Sequence, residues 1–405
     1  MADSPTGSLA LPPALSGRAA SAVVAALTSG GADVRFVGGC VRDALSGEDM
    51  GDIDLATPDR PETVMALLEG AGLKAVPTGL KHGTVTAVSQ GKPFEVTTLR
   101  IDVETDGRHA DVAFTDDWKA DAARRDFTIN AMSLRPDGGF YDYFGGRDDL
   151  AAGRVRFVGE ASLRIAEDYL RVLRYFRFLA RFGRGEPERD AVAACRDAAG
   201  KLSRLSVERV RNELLKLLTA ANPVPTLGLM RETGVLDAVL PQAAGTDVLV
   251  TLVGIDDRDP VRRLAALIGA NGAAVGPALK LSKAEQERLA ALAPPVKALS
   301  PDLPVSGQRQ LLYELGAERV VDLVLLAWAG DRRVRADAWR AMLENARNWE
   351  APALPVRGSD ALALGVPAGP EVGELVAGVE RWWREGDFSA DRESCLTEMR
   401  RLAGL

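Results

Sequence analysis

The feature that most constrains this chain is a change of periodicity between residues 142 and 163. From residue 34 to 142, short apolar runs are cut by glycine-bearing turns, and five of them read as strands: 34–37, 53–55, 84–88, 94–98 and 132–134. From Leu163 onward helical spacing takes over, first across 163–182 and then across 207–219. At 405 residues the chain exceeds the usual size of one core, so more than one packed unit is expected. The expected class is α+β, with a head on a small mixed sheet over residues 17–150. A helical neck at 151–220 and a helical body and tail at 221–405 follow, while residues 1–16, rich in Pro and Ser, read as a flexible leader.

Hydrophobic residues at 46% and charged residues at 26% exclude a disordered chain. No apolar run is long enough to cross a bilayer, and the first residues lack an export signal. Cys40, Cys195 and Cys395 are isolated from one another, so neither a disulfide framework nor a zinc site is expected, and a reducing cytoplasm fits. Two histidines, His82 and His109, are too few for a histidine metal cluster.

Inside the head, Gly38-Gly39 follows an apolar strand, and Asp52-Ile53-Asp54-Leu55 comes next after a short polar loop. Alternate strand residues share a face about 6.6 Å apart, so Asp52 and Asp54 are expected to aim at one point while Ile53 and Leu55 face the core. Two carboxylates held that close repel unless a cation lies between them, and magnesium accepts such oxygens together with substrate phosphates. The pair therefore suggests phosphoryl-group chemistry with Mg2+; a solvated Asp-x-Asp on an edge strand is the alternative. Glu95 shares a strand face with Thr97 and is a candidate third carboxylate; an exposed strand glutamate is the alternative. Gly38 and Gly39 let backbone approach a phosphate, but no Gly-x-x-x-x-Gly-Lys-Ser/Thr pattern surrounds them, which excludes a P-loop.

The net charge is −7, yet residues 154–184 carry eight Arg, no Lys and three acids, a local +5. Arg174, Arg177, Arg181 and Arg184 recur at helical spacing and are expected to form a face that tracks phosphates, with Leu173, Phe176 and Leu179 inward. Tyr175 and Phe178 read as core in preference to base-stacking residues. Ser206 reads as a helix N-cap, and Arg332-Arg333-Val334-Arg335 as a second candidate RNA contact or a solvated face.

Four pieces occur in order: Gly38 to Asp43; Asp52 to Thr57; Arg124-Arg125-Asp126-Phe127-Thr128-Ile129-Asn130-Ala131-Met132; and Glu167-Asp168-Tyr169-Leu170-Arg171. The set resembles the bacterial-type (class II) CCA-adding tRNA nucleotidyltransferases, over about residues 30 to 220. Bacterial poly(A) polymerases share nearly the same motifs. The resemblance implies a polymerase beta-like nucleotidyltransferase head, with Asp52 and Asp54 holding Mg2+. It places Gly38, Gly39, Arg42 and Asp43 at the triphosphate and primer, and Arg124, Arg125, Asp126 and Asn130 at the nucleotide, with Arg174 beside them. CTP and ATP would be substrates, and the 3′ end of tRNA the partner. Gly79-Leu80-Lys81-His82-Gly83-Thr84-Val85 stands where poly(A) polymerases carry an Arg-rich strand, so the tRNA enzymes are the closer likeness. A poly(A) polymerase and a catalytically silent RNA-binding relative are the alternatives. Residues 102–117 would be the flexible loop associated with the switch from C to A addition.

Asp168 and Arg171, at i and i+3, are expected on one helical face. Cytosine and adenine both present an exocyclic amine donor beside a ring-nitrogen acceptor, so one fixed acceptor and one fixed donor recognise either base. Uracil and guanine reverse that polarity, at a cost of about 1–3 kcal/mol for each buried unmatched group. A surface salt bridge between the two residues is the plainer alternative.

Overall fold

The computed structural model describes residues 3–105, 110–292, 299–331, 333 and 335–405. Ten strands follow in chain order: β1 Gly7–Ser8, β2 Arg35–Val37, β3 Asp54–Thr57, β4 Lys74–Gly79, β5 Thr84–Ser89, β6 Lys92–Thr98, β7 Arg100–Thr105, β8 Ala110–Phe114, β9 Met132–Leu134 and β10 Gly139–Asp142. Eight of them form one mixed sheet in the order β1-β10-β9-β2-β3-β6-β5-β4, and β7 and β8 pair separately. Every pair in the sheet is antiparallel except β3 with β6. That parallel pair needs a crossover, supplied by helix Pro61–Gly70 and the β4–β5 hairpin, and its register sets Asp54 opposite Glu95.

The strands carry apolar side chains at alternate positions: Val85, Ala87, Phe94 and Val96 are buried, with helices Arg18–Thr28 and Pro61–Gly70 packed on β5 and β6. Helix Gly39–Ser46 packs on β2 and β9 and begins directly after β2.

Three expectations change here. The leader is held: β1 pairs with β10, Leu15 is buried, and a short helix spans Pro13–Ser16. Residues 102–117 are not simply a loop, because β7 and β8 form a hairpin; residues 106–109, His109 among them, lie outside the described residues. The helix expected across 163–182 is two helices, Ala161–Glu167 and Leu170–Phe182, broken where Asp168 adopts extended backbone (φ −154°, ψ 109°). Ser206 stands at the N-cap of helix Val207–Leu218, although its hydroxyl makes no capping hydrogen bond.

The contacts divide the chain into two compact units, residues 1–243 with 278–280, and residues 244–277 with 281–405. The boundary falls beyond the expected residue 221 because helix Val224–Glu232 packs on Leu170–Phe182 and helix Val235–Val239 packs on the turn Ala199–Arg204. Among its described residues the second unit is helical. Asp322 there accepts from Arg262 at 2.8 Å and from Arg288 at 2.7 Å, and Arg263 pairs with Asp256 at 2.7 Å, both fully buried. Arg335 pairs with Asp331 at 2.9 Å and also with Asp302, so it presents no free guanidinium; Arg332 and Val334 lie outside the described residues. Among the described residues no helix is long and apolar enough to cross a membrane.

Candidate nucleotide-binding and catalytic site

β3 starts at Asp54, so Asp52 lies just before the strand rather than within it. Asp54 is half-buried, whereas Asp52 and Glu95 are exposed. Burial first, then the charges of Glu95 and Asp52, push the Asp54 carboxyl up to about 6 against the opposing pull of Arg125. These three carboxylates therefore act on one another, with Asp54 at the centre. No three His, Cys, Asp or Glu side chains among the described residues close into a metal cluster, so two ligands and a substrate phosphate are what the donor set offers a cation.

Asp54 opens onto a cavity of about 560 Å³ whose other walls are strongly basic. Arg42 is buried, donating to Asp43 Oδ1 at 2.7 and 2.9 Å and to Asn130 Oδ1 at 2.6 Å. Asn130 passes the contact on, Nδ2 donating to Asp126 Oδ1 at 3.0 Å, and Arg174 donates to Asp126 Oδ2 at 2.6 Å. Arg177 donates to Glu213 Oε2 at 2.5 Å. The chain of partners ties helix Gly39–Ser46, the turn Thr128–Asn130, helix Leu170–Phe182 and helix Val207–Leu218 together behind the cavity. Phe178 lies under it, with the guanidinium groups of Arg42, Arg174 and Arg177 at 5.1, 5.5 and 4.2 Å from its ring centre.

Arg124 and Arg125 follow helix Trp118–Ala123 at its C-terminal end. Both pair with buried Asp121, at 2.8 and 3.5 Å. Arg125 Nη1 lies 2.8 Å from where a Cβ on Gly38 would stand, and Gly38 holds φ +71° with ψ −125°, a conformation that favours glycine. Gly38→Ala is therefore expected to displace Arg125 and strain the turn by about 1–3 kcal/mol. Melting should show that loss, and nucleotide KM should rise several-fold; unchanged values for both would refute the assignment.

Asp168 and Arg171 both line the cavity but not as residues of one helix. Nor do they pair with each other: Asp168 Oδ2 accepts from Arg209 at 2.6 Å, and Arg171 donates to Glu167 at 2.5 Å and to the carbonyl of Arg124 at 3.0 Å. Leu170 N also donates to Asp168 Oδ1, at 3.1 Å. A carboxylate has further lone pairs, and the described bonds of Arg171 leave its Nε proton and one Nη2 proton, so each retains capacity toward a base.

Of the expected residues, Gly38, Gly39, Arg42, Asp54, Arg124, Arg125, Asp126, Asn130, Asp168, Arg171 and Arg174 line one cavity. Asp43 does not; it is the buried partner of Arg42. Asp52 and Glu95 stand beside Asp54 rather than on the cavity wall. The arginine face expected to be free for phosphates is largely committed, with Arg181 on Glu48 at 3.1 Å and Arg184 on the carbonyls of Leu150 and Ala151. Arg100, Arg177 and Phe178 complete the lining. Arg100 carried no signal, because a lone arginine after a strand has no motif around it.

A carboxylate-bearing mixed sheet that feeds an arginine-walled cavity backed by helices defines a nucleotidyltransferase of the polymerase-beta type. Residues 34–156 match the family described as Poly A polymerase head domain, and residues 186–245 match the Probable RNA and SrmB-binding site of polymerase A. The chain is 36% identical to CCA tRNA nucleotidyltransferase 1, mitochondrial, of Danio rerio over 386 residues, covering 91% of this chain and 87% of that protein. It is 40% identical to the CCA-adding enzyme of Geobacillus stearothermophilus over 227 residues, 56% of this chain and 55% of that one. The crystal structure of Bacillus stearothermophilus CCA-adding enzyme in complex with CTP superimposes with a TM-score of 0.72 at 28% identity, covering 97% of this chain and 98% of that one. This chain belongs to the CCA-adding tRNA nucleotidyltransferase family.

Proposed function

We propose that this chain adds the 3′-terminal CCA to tRNA, taking two CTP and one ATP and releasing pyrophosphate. The observation that carries the reading is the convergence of Asp54, the Gly38-Gly39 turn, the arginines and the Asp168–Arg171 couple on one cavity in a member of this family.

The residues suit Mg2+: Asp54 is raised to about 6 by burial and by Glu95 and Asp52, and a cation held by Asp52 and Asp54 would relieve that repulsion. When bound, the ion supplies charge neutralisation at the transferring phosphate and acidifies the attacking 3′-hydroxyl. Arg42, Arg124, Arg125 and Arg174 orient the triphosphate, since guanidinium forks match phosphate oxygens. Gly38 and Gly39 let backbone amides approach it. Asp168 accepts from the exocyclic amine of C or A while Arg171 donates to the ring nitrogen, and the Arg209 and Arg124 contacts hold both side chains in place. Glu95, paired in register with Asp54, assists by its charge.

The test is primer extension on tRNA lacking its last three nucleotides, with Mg2+ and labelled CTP or ATP. Three added residues ending in A, lost in Asp52→Ala, are the expected result. Long A tails with ATP alone would make the chain a poly(A) polymerase, and no incorporation with any nucleotide would leave only RNA binding.

A further inference from the structure

The neck carries one aromatic side chain that the nucleotide site leaves unused. Tyr169 follows Asp168 directly, half-buried at the break between helices Ala161–Glu167 and Leu170–Phe182, and it does not line the cavity. Lys201 Nζ stands 5.4 Å from its ring centre and the Arg204 guanidinium 6.0 Å. Both cations come from the turn Ala199–Arg204 and both are exposed.

Their pairing differs from that of six other neck arginines. Arg164, Arg171, Arg174, Arg177, Arg181 and Arg209 each have a carboxylate partner. Lys201 and Arg204 have none among the described residues. Two like charges gathered on one ring repel, although the ring face attracts each of them. An anion seated between them removes the repulsion.

We infer that Tyr169, Lys201 and Arg204 form a landing platform for the single-stranded 3′ end of the RNA acceptor, with a base stacked on the tyrosine and its flanking phosphate held between the ammonium and guanidinium groups. A π-face beside paired cations is what single-stranded nucleic acid recognition uses, and it tolerates any base. The position fits in the chain, because Tyr169 directly follows Asp168, the proposed reader of the incoming base. The inference rests on the proposed activity at RNA 3′ ends.

The full chain would be titrated with fluorescent tRNA lacking its last three nucleotides, at 50 and 200 mM salt. For Lys201→Ala/Arg204→Ala the salt slope should fall by about 1.4, so the affinity gap from wild type shrinks about sevenfold between the two salts. Tyr169→Leu should weaken binding about fivefold or more, and Tyr169→Phe should restore it. The KM for CTP should stay unchanged in all three variants. Wild-type affinity and slope in the double variant, with primer extension intact, would overturn the platform and leave the enzyme reading standing. Failure of wild-type extension would count against the enzyme instead. Weakened binding accompanied by an equal loss of melting temperature in Tyr169→Phe would reduce the cluster to packing.

Discussion

Asp54→Asn is expected to abolish nucleotide transfer, by about 10³-fold or more in single-turnover incorporation, while leaving the chain folded and no less stable. The two halves of that result come from one cause. Burial and the charges of Glu95 and Asp52 push the Asp54 carboxyl up to about 6, so near neutral pH its ionised form is held at a cost to the fold. An amide of the same shape removes the repulsion and with it the ligand charge. In the absence of Mg2+ the variant should melt at or above the wild-type temperature. Adding Mg2+ should raise the wild-type melting temperature more than that of the variant, because only the wild type binds the ion with both carboxylates. Activity within tenfold of wild type would remove Asp54 from the chemistry.

The sequence made the chemistry legible because its signals are local. Asp52-x-Asp54, Gly38-Gly39 and the Arg124-to-Asn130 run each lie within a few residues, and 132–134 and 84–88 read as strands from their own alternation. What could not be read was partnership. Asp126 and Arg174 are 48 positions apart, and Arg177 and Glu213 are 36 apart, and nothing in either local pattern says that these particular groups meet. The register that sets Asp54 beside Glu95 depends on a crossover. The break at Asp168 was hidden because helical periodicity runs straight through it. It is imposed by tertiary contacts, with Arg209 from a later helix holding the Asp168 carboxylate. Strands β1, β4 and β10 were missed for a similar reason: β1 has only two residues, β4 contains Pro77 at the sheet edge, and their backbones are extended through pairing rather than composition.

Asp126→Ala should strongly destabilise the head, by about 3–5 kcal/mol, because it removes a buried carboxylate and leaves the half-buried Arg174 without its close partner. Arg174 would keep only Glu213, 4.0 Å away, and Asn130 Nδ2 and Phe127 N would both lose the acceptor they share in Asp126 Oδ1. At about 2–4 °C per kcal/mol for a unit of this size, melting should fall by roughly 6–20 °C. The functional loss should appear as a raised nucleotide KM, since Arg42 and Arg174 are aligned through Asn130 and Asp126. Asp126→Asn keeps the shape and one acceptor and should cost less. The two charge states can be separated by pH. Burial pushes the Asp126 carboxyl up, but Arg174, the Asn130 hydrogen bond and Arg171 together outweigh it and hold the group below the ordinary carboxylate range. Its contribution is therefore complete above the unfolded value of about 4 and is lost as pH falls through the lower folded one. The melting gap between wild type and Asp126→Asn should stay level from about pH 5 to 8 and close only in stronger acid. A gap that closes instead between about pH 5 and 7 would mean that the carboxylate is protonated near neutrality and that Arg174 is not its partner in solution.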